Sequence, residues 1–252
     1  MKVIYDYLPA SPSDTDVTIT SSSAATGFPV TNLKYPQPVR SWKSTVITES
    51  SVTYDFGANQ TYDSLFINRF NFAAFTVQYS TAAAPTTWVD VEVNTGLTKD
   101  EIYDENYMHK WVDLTGLTYR YIKVLIPAQT PLFDILYFKI GNIYVGNMVE
   151  IWWPKPGFQI SYVPKMNLRE FYSGYVEKKR IGRTRRVFDY RVDKITTTEY
   201  NKIRITSENF ILYMNWLSDE KQAFLVRFSK ETIKRFDMHN INSSSYEMEE
   251  VV

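Results

Sequence analysis

Cysteine is absent from the 252-residue chain, which excludes disulfides, thiolate metal sites and a cysteine nucleophile. Stability must therefore come from packing, and a chain of this length can bury a real core without covalent staples. Histidine is nearly absent too. His109 and His239 lie far apart, which argues against a histidine metal site and makes each an ordinary surface or boundary residue. No Gly-rich phosphate loop, G-x-S-x-G elbow, H-E-x-x-H motif or triad is present, so neither an enzyme nor a cofactor is expected. No segment approaches the roughly 18 apolar residues of a membrane span. The first residues, MKVIYDYLPASPS, hold no apolar stretch of signal-peptide length, which predicts a soluble protein made in the cytoplasm and kept there until assembly. The Asn-x-Ser/Thr sites at Asn59 and Asn242 then carry no glycan.

Aromatic residues are plentiful: 19 Tyr, 15 Phe and 6 Trp, a composition that favours strands because rings pack well on a pleated, half-buried surface. Residues 11–26 are polar and Ser/Thr-rich around a short alternating VTIT, which predicts a loop or weak edge strand. Regular punctuation follows. SVTYDF (51–56), SLFINRF (64–70), FTVQYS (75–80), WVDVEV (88–93), RYIKVLI (120–126) and YFKIGNIYV (137–145) alternate apolar and polar residues between turn residues. Short strands spaced in this way predict an antiparallel sandwich or jelly roll.

After Val149 the texture changes, and IWWPKPGFQISYVP reads as a junction or rigid extended segment. Residues 1–149 carry 10 Lys and Arg against 14 Asp and Glu, whereas residues 150–252 carry 18 against 14. The sequence thus predicts two domains: a β-sandwich over 1–149, with 1–34 as a partly extended lead-in, and a smaller β-rich, α+β assembly domain over 150–252. In the second domain FYSGYVEKKRIG and TRRVFDYRVD read as two strands turning near Gly182. The Thr196–Tyr200 region reads as the N-cap of a short helix over roughly 197–210. AFLVRFS reads as a further strand, and the tail INSSSYEMEEVV as acidic and partly extended.

Taken in order, Trp42, VTYDFG (52–57), YDSLFINRFNF (62–72), FTVQYS (75–80), Trp88 before VDVEV, and RYIKVLIPA (120–128) carry a family resemblance. The stretch from about 35 to 146 resembles the discoidin (F5/8 type C) module, a galactose-binding-like jelly roll. Two features depart from that family: the usual S-x-D-G-x-x-W turn is STAAAPTTW here, and the terminal cysteine pair of the extracellular members is missing. Physically, Asp55 before Phe56-Gly57 can cap a turn, with Gly57 at positive φ. Arg120 can place a charge at the sandwich rim, while Tyr121, Lys123 and Leu125 alternate against Ile122, Val124 and Ile126.

A cysteine-free discoidin-like module joined to a basic β-rich segment resembles the tail-tip and baseplate proteins of long-tailed bacteriophages. That resemblance implies a non-enzymatic virion protein of the distal tail, forming an oligomeric ring or collar that joins tube to tip and displays the jelly rolls. Its partners would be further copies and other tail proteins. The alternative is a carbohydrate-binding adhesion module that recognises a host-surface glycan.

For a sugar ligand, Trp42, Tyr103, Tyr107 and Trp111 are the candidates, because a flat ring stacks on a sugar's apolar face. Large aromatics also dominate sandwich cores, so for Trp42 and Trp111 core or rim packing is the first reading. Trp152 and Trp153, beside two prolines, anchor either a partner subunit or the junction between the two domains. The acids Asp104/Glu105 and Asp219/Glu220 read as solvated before they read as a glycosidase pair. Asp100, Glu101 and 104–106 likewise read as an acidic loop before a Ca²⁺ site, so no metal is expected.

Between Lys178 and Lys194 stand eight basic residues against Asp189 and Asp193. Basic clusters attract phosphate. No nucleic-acid fold signature accompanies this one, and the apolar partners Val187, Phe188, Tyr190 and Val192 need packing. The cluster reads instead as an interface, in which Arg180, Arg183, Arg185, Arg186 and Arg191 face an acidic surface of a neighbouring copy. The N-terminal half or the EMEE tail at 247–250 would supply that surface.

Overall fold

The structure, a computed structural model, describes residues 2–9, 13–35, 40–97, 108–132, 136–150, 159–170, 176–196, 211–214, 223–236 and 241–250. In chain order the strands are β1 (Lys2–Leu8), β2 (Thr18–Ser21), β3 (Trp42–Lys43), β4 (Ser50–Gln60), β5 (Ser64–Phe70), β6 (Phe75–Ser80), β7 (Val89–Asn94), β8 (Met108–Asp113) and β9 (Tyr119–Ile126). They continue as β10 (Lys139–Ile140), β11 (Asn142–Glu150), β12 (Gln159–Glu170), β13 (Val176–Thr196), β14 (Ile211–Met214), β15 (Ala223–Phe236) and β16 (Ile241–Glu250). The fold class is the mainly β one expected from the sequence, a jelly-roll sandwich followed by a β-rich unit. The chain divides into two compact units, one built on Ile4–Val149 and the other on most of the residues from Glu150 onward.

In the first unit the strand order β1-β11-β5-β8 forms one sheet and β2-β4-β9-β6-β7 the other, with β10 and β3 paired as a short ribbon. Alternation builds the core. Val52, Tyr54 and Phe56 on β4 and Ile122, Val124 and Ile126 on β9 are buried, while Ser51, Thr53, Asp55, Lys123 and Leu125 between them are only partly covered. These inward rows meet Leu65 and Ile67 of β5 and Ile143 and Val145 of β11 in one cluster. VTIT is an edge strand as expected, with Thr18 opposite Asp55 and Ser21 opposite Val52.

β5 behaves differently, because every residue from Ser64 to Phe70 is buried. Phe66 and Asn68 lie on the face away from the sandwich core. There the Phe66 ring lies 6.3 Å from Trp111 and 6.3 Å from His109, at an interplanar angle of 4° to the latter. Tyr7 packs edge-on against Tyr144 at 5.1 Å on β11, in the same sheet. A strand covered on both faces reads as a continuous apolar run rather than an alternation.

In the second unit the strand order is β12-β13-β16-β15-β14, and the β12–β13, β13–β16 and β15–β16 pairs are antiparallel. The expected turn near Gly182 is not formed. β13 runs unbroken from Val176 to Thr196, and its hairpin partner is β12. The register steps from Pro164–Thr184 to Met166–Arg180, so Gly182 falls in a bulge instead. A glycine within alternating residues serves a bulge as readily as a turn, and Pro164 is tolerated because β12 is an edge strand. The acidic tail is also more ordered than the sequence implies. It forms β16, between β13 and β15, with Glu247 opposite Asp189 and Lys230, and Glu249 opposite Val187 and Arg227. The short helix expected over 197–210 lies outside the described residues.

Candidate functional site

The sequence candidates scatter. Trp42 is fully buried, and its indole Nε1 donates to the Ser23 carbonyl at 2.9 Å. Trp111 is 5% exposed and sits against Phe66. Both rings are buried in the fold, which leaves neither a face to offer a sugar. Tyr103 and Tyr107 lie outside the described residues, as do Trp152, Trp153, His239, Asp219/Glu220 and the acids of 100–105. Arg180, Arg183, Arg185, Arg186 and Arg191 all fall on β13. Among the described residues no group of His, Cys, Asp and Glu could hold a metal ion. His109 is a packed boundary residue, with Nδ1 2.6 Å from Asn68 Oδ1.

The structure brings together a different set. A cleft of about 790 Å³ opens between the β1–β2 loop and the end of β4, bordered by Ser13, Asp14, Thr15 and Asp16 on one side and by Gly57, Gln60 and Tyr62 on the other. Tyr7 and Phe56 line it from the core side, and both are buried. Each wall is fixed by local chemistry. The Asp16 N–H donates to Asp14 Oδ1 at 2.8 Å, a side-chain-closed turn. The Lys34 ammonium donates to the carbonyls of Asp14 at 2.5 Å and Val17 at 2.8 Å, pinning this loop to the short 3-10 turn at Val30–Lys34. Opposite, the buried Tyr119 hydroxyl donates to the Tyr62 carbonyl at 2.9 Å, and Phe56 lies 6.3 Å from the Tyr62 ring and 5.8 Å from Tyr119. Burial pushes the Tyr119 phenol far above its usual range, so it stays a donor at any working pH.

The cleft's third support is the turn anticipated at Asp55. The Gly57 N–H donates to Asp55 Oδ1 at 2.8 Å, with Gly57 at φ 69°, a conformation that glycine adopts without a Cβ penalty. Arg120 reaches across from β9 and donates from Nε to Asp55 Oδ1 at 2.9 Å and from Nη2 to Oδ2 at 3.2 Å, the two-pronged geometry that suits a carboxylate. Arg120, and then the Gly57 N–H, hold the Asp55 carboxyl below its usual value. A carboxyl whose folded pKa is depressed contributes stability above its ordinary pKa of about 3.9, and the contribution vanishes as pH falls through the folded value. Asp55→Asn is therefore expected to lower the urea midpoint at pH 6 and to match the unsubstituted protein near pH 2. An equal deficit at both pH values would rule out the ion pair as its source.

Farther along the outer face of the same sheet, the STAAAPTTW loop is held without the family's usual turn. The Tyr121 hydroxyl donates to the Ala83 carbonyl at 2.7 Å, and Trp88 packs edge-on to Tyr121 at 6.4 Å with the Lys123 ammonium 4.1 Å from its ring.

No family model matches the sequence, and no curated protein matches it. Among solved structures, the chain is similar to chitosan-binding module 1 of a chitosanase/glucanase from Paenibacillus sp. IK-5, at 20% identity and TM-score 0.42, over 52% of this chain and 94% of that one. It is similar to CBM32-3 from a family 31 glycoside hydrolase of Clostridium perfringens, at 11% identity and TM-score 0.43, over 52% and 91%. A Ruminococcus gnavus GH29 fucosidase in complex with fucose is similar at 14% identity and TM-score 0.45, over 55% of this chain and 26% of the fucosidase. Carbohydrate-binding modules thus stand among the structural neighbours, while the fold itself rests on the strand order and core described above.

Proposed function

We propose that the N-terminal sandwich is a carbohydrate-binding module and that the cleft beside Tyr62 is its ligand site. The observation that carries this reading is the cleft's lining. A half-buried tyrosine ring stands beside five side chains with oxygen acceptors, Ser13, Asp14, Thr15, Asp16 and Gln60, in a volume suited to a small ligand. Sugars present both an apolar ring face and a periphery of hydroxyl donors, and this combination meets both. The described residues of the lining include two carboxylates and no Lys or Arg. An anionic sugar would be repelled there, so the reading is a neutral or amino sugar. The module acts by holding its ligand, without chemistry on it.

The test is binding of the purified full chain to an array of neutral, amino and acidic glycans, followed by calorimetry on the best ligand. Asp16 is exposed, so Asp16→Ala leaves the fold intact while removing a charged acceptor worth about 1.5–3 kcal/mol, a loss of roughly 10- to 100-fold in affinity. Tyr62→Ala is expected to weaken binding comparably. Absence of glycan binding by the unsubstituted chain, or binding indifferent to both substitutions, would overturn the proposal.

A second reading, an assembling part of a phage tail tip that displays this sandwich, has its support in the resemblance of layout and in the long-stranded, basic sheet that follows. The two readings are compatible, since display and recognition use different units.

A further inference from the structure

We propose that the outer half of the β12–β13 hairpin is a cationic docking arm whose partner is the acidic sandwich of a second copy of this chain. The inference is independent of the sugar-binding reading and starts from strand register. β12 pairs with β13 from Val176 to Asp189, whereas β16 pairs with β13 only from Val187 to Thr196. Among the described residues, β13 from Val176 to Arg186 therefore has a strand on one side only, and this part of the hairpin is a two-stranded ribbon about 35 Å long. Six of the basic residues fall there: Lys178, Lys179, Arg180, Arg183, Arg185 and Arg186.

Charge separates the ribbon from the sheet body. In the body, Lys230 stands across from Glu247 and Arg227 from Glu249, with Glu247 also across from Asp189. In the ribbon, Glu177 is the one acid of β13 from Val176 to Arg186 and stands across from Arg169, while the cross-strand partners of Lys178, Lys179, Arg180, Arg185 and Arg186 are the uncharged Leu168, Asn167, Met166, Val163 and Tyr162. Successive strand positions belong to opposite faces, so the runs 178–180 and 185–186 place basic residues on both faces. A two-stranded ribbon with an open edge is marginal by itself.

The complement is encoded in the same chain, whose residues 1–149 hold 14 acids against 10 bases. A basic arm on one copy meeting an acidic sandwich on the next is a heterologous contact, the kind that builds rings and stacks. Charge on both faces also favours insertion against a protein surface over laying one face along a phosphate backbone.

Light scattering of the full chain measures the outcome directly. At about 0.15 M salt the mass is expected to be at least twice the 29.5 kDa of one chain, and at about 1 M salt, where the Debye length is roughly 3 Å, it falls to the single-chain value. Arg185→Glu with Arg186→Glu, and separately Lys178→Gln with Lys179→Gln, are each expected to give single chains at the lower salt. The milder pair decides if circular dichroism shows the charge reversal unfolded. Single chains under every condition would overturn the proposal, as would a multimer unchanged in both variants. Nucleic acid that co-purifies with single chains and is lost in the variants would overturn it in favour of a phosphate partner.

Discussion

Trp42→Ala is expected to cost the sandwich about 3–5 kcal/mol, the range found when a fully buried large aromatic is truncated and the site cannot collapse. Trp42 has no solvent exposure, pairs with Ile140 on the two-stranded β3–β10 ribbon, and belongs to the central cluster. Its removal also strands the Ser23 carbonyl, which accepts the indole N–H, and so adds the cost of a lost hydrogen bond. Urea denaturation followed by circular dichroism measures it, with an expected fall in midpoint of about 1–2 M for a urea slope of about 3 kcal/mol per M. Trp42→Phe keeps most of the volume and should recover part of the loss. A Trp42→Ala protein of unaltered midpoint that no longer binds sugar would restore this ring as a ligand platform.

That substitution also marks where the sequence was legible. β5 and β6 begin and end where the sequence placed them, because polar breaks at Thr61, Asp63, Asn71 and Thr81 bracket runs of apolar and aromatic residues. Asp55 and Gly57 were readable as a turn because the carboxyl, the residue after it and the glycine form a local hydrogen-bonded unit whose chemistry needs no distant partner. β1 and β8 were missed for the opposite reason. MHKWVD presents Met108, Trp111 and Val112 as buried, with no period of two, since strand β8 packs on both faces. The cleft was invisible because its walls come from the polar loop at 13–16 and from the end of β4 with Tyr62, which become neighbours only when β2 pairs with β4. Its one sequence signal was the density of Ser, Asp and Thr before VTIT, which describes any solvated loop equally well. The turn assigned to Gly182 failed because punctuation by one glycine does not distinguish a bulge from a reversal; the reversal needs a partner strand, and that partner is β12.

Gly146→Ala should show how closely the cleft depends on the fold behind it. Gly146 stands opposite Ser64 in the β11–β5 pairing, with β1 on the other side of β11. A Cβ added there would lie 2.7 Å from Tyr7 Cβ, 2.8 Å from Ile4 Cγ2 and 2.8 Å from Tyr7 Cα. The last contact is with backbone, so no rotamer change relieves it, and β1 itself must shift. Overpacking of this kind costs about 1–3 kcal/mol, and a clash with main chain belongs at the upper end. The displacement also has a functional readout, because Tyr7 and Leu8, at the end of β1, line the cleft. Sugar affinity should therefore fall along with stability, although Gly146 does not border the site. Asp16→Ala, in contrast, should lower affinity without moving the urea midpoint, since Asp16 is exposed. If Gly146→Ala loses stability but binds sugar normally, the ligand does not engage the β1 wall and belongs on the Gln60–Tyr62 side alone.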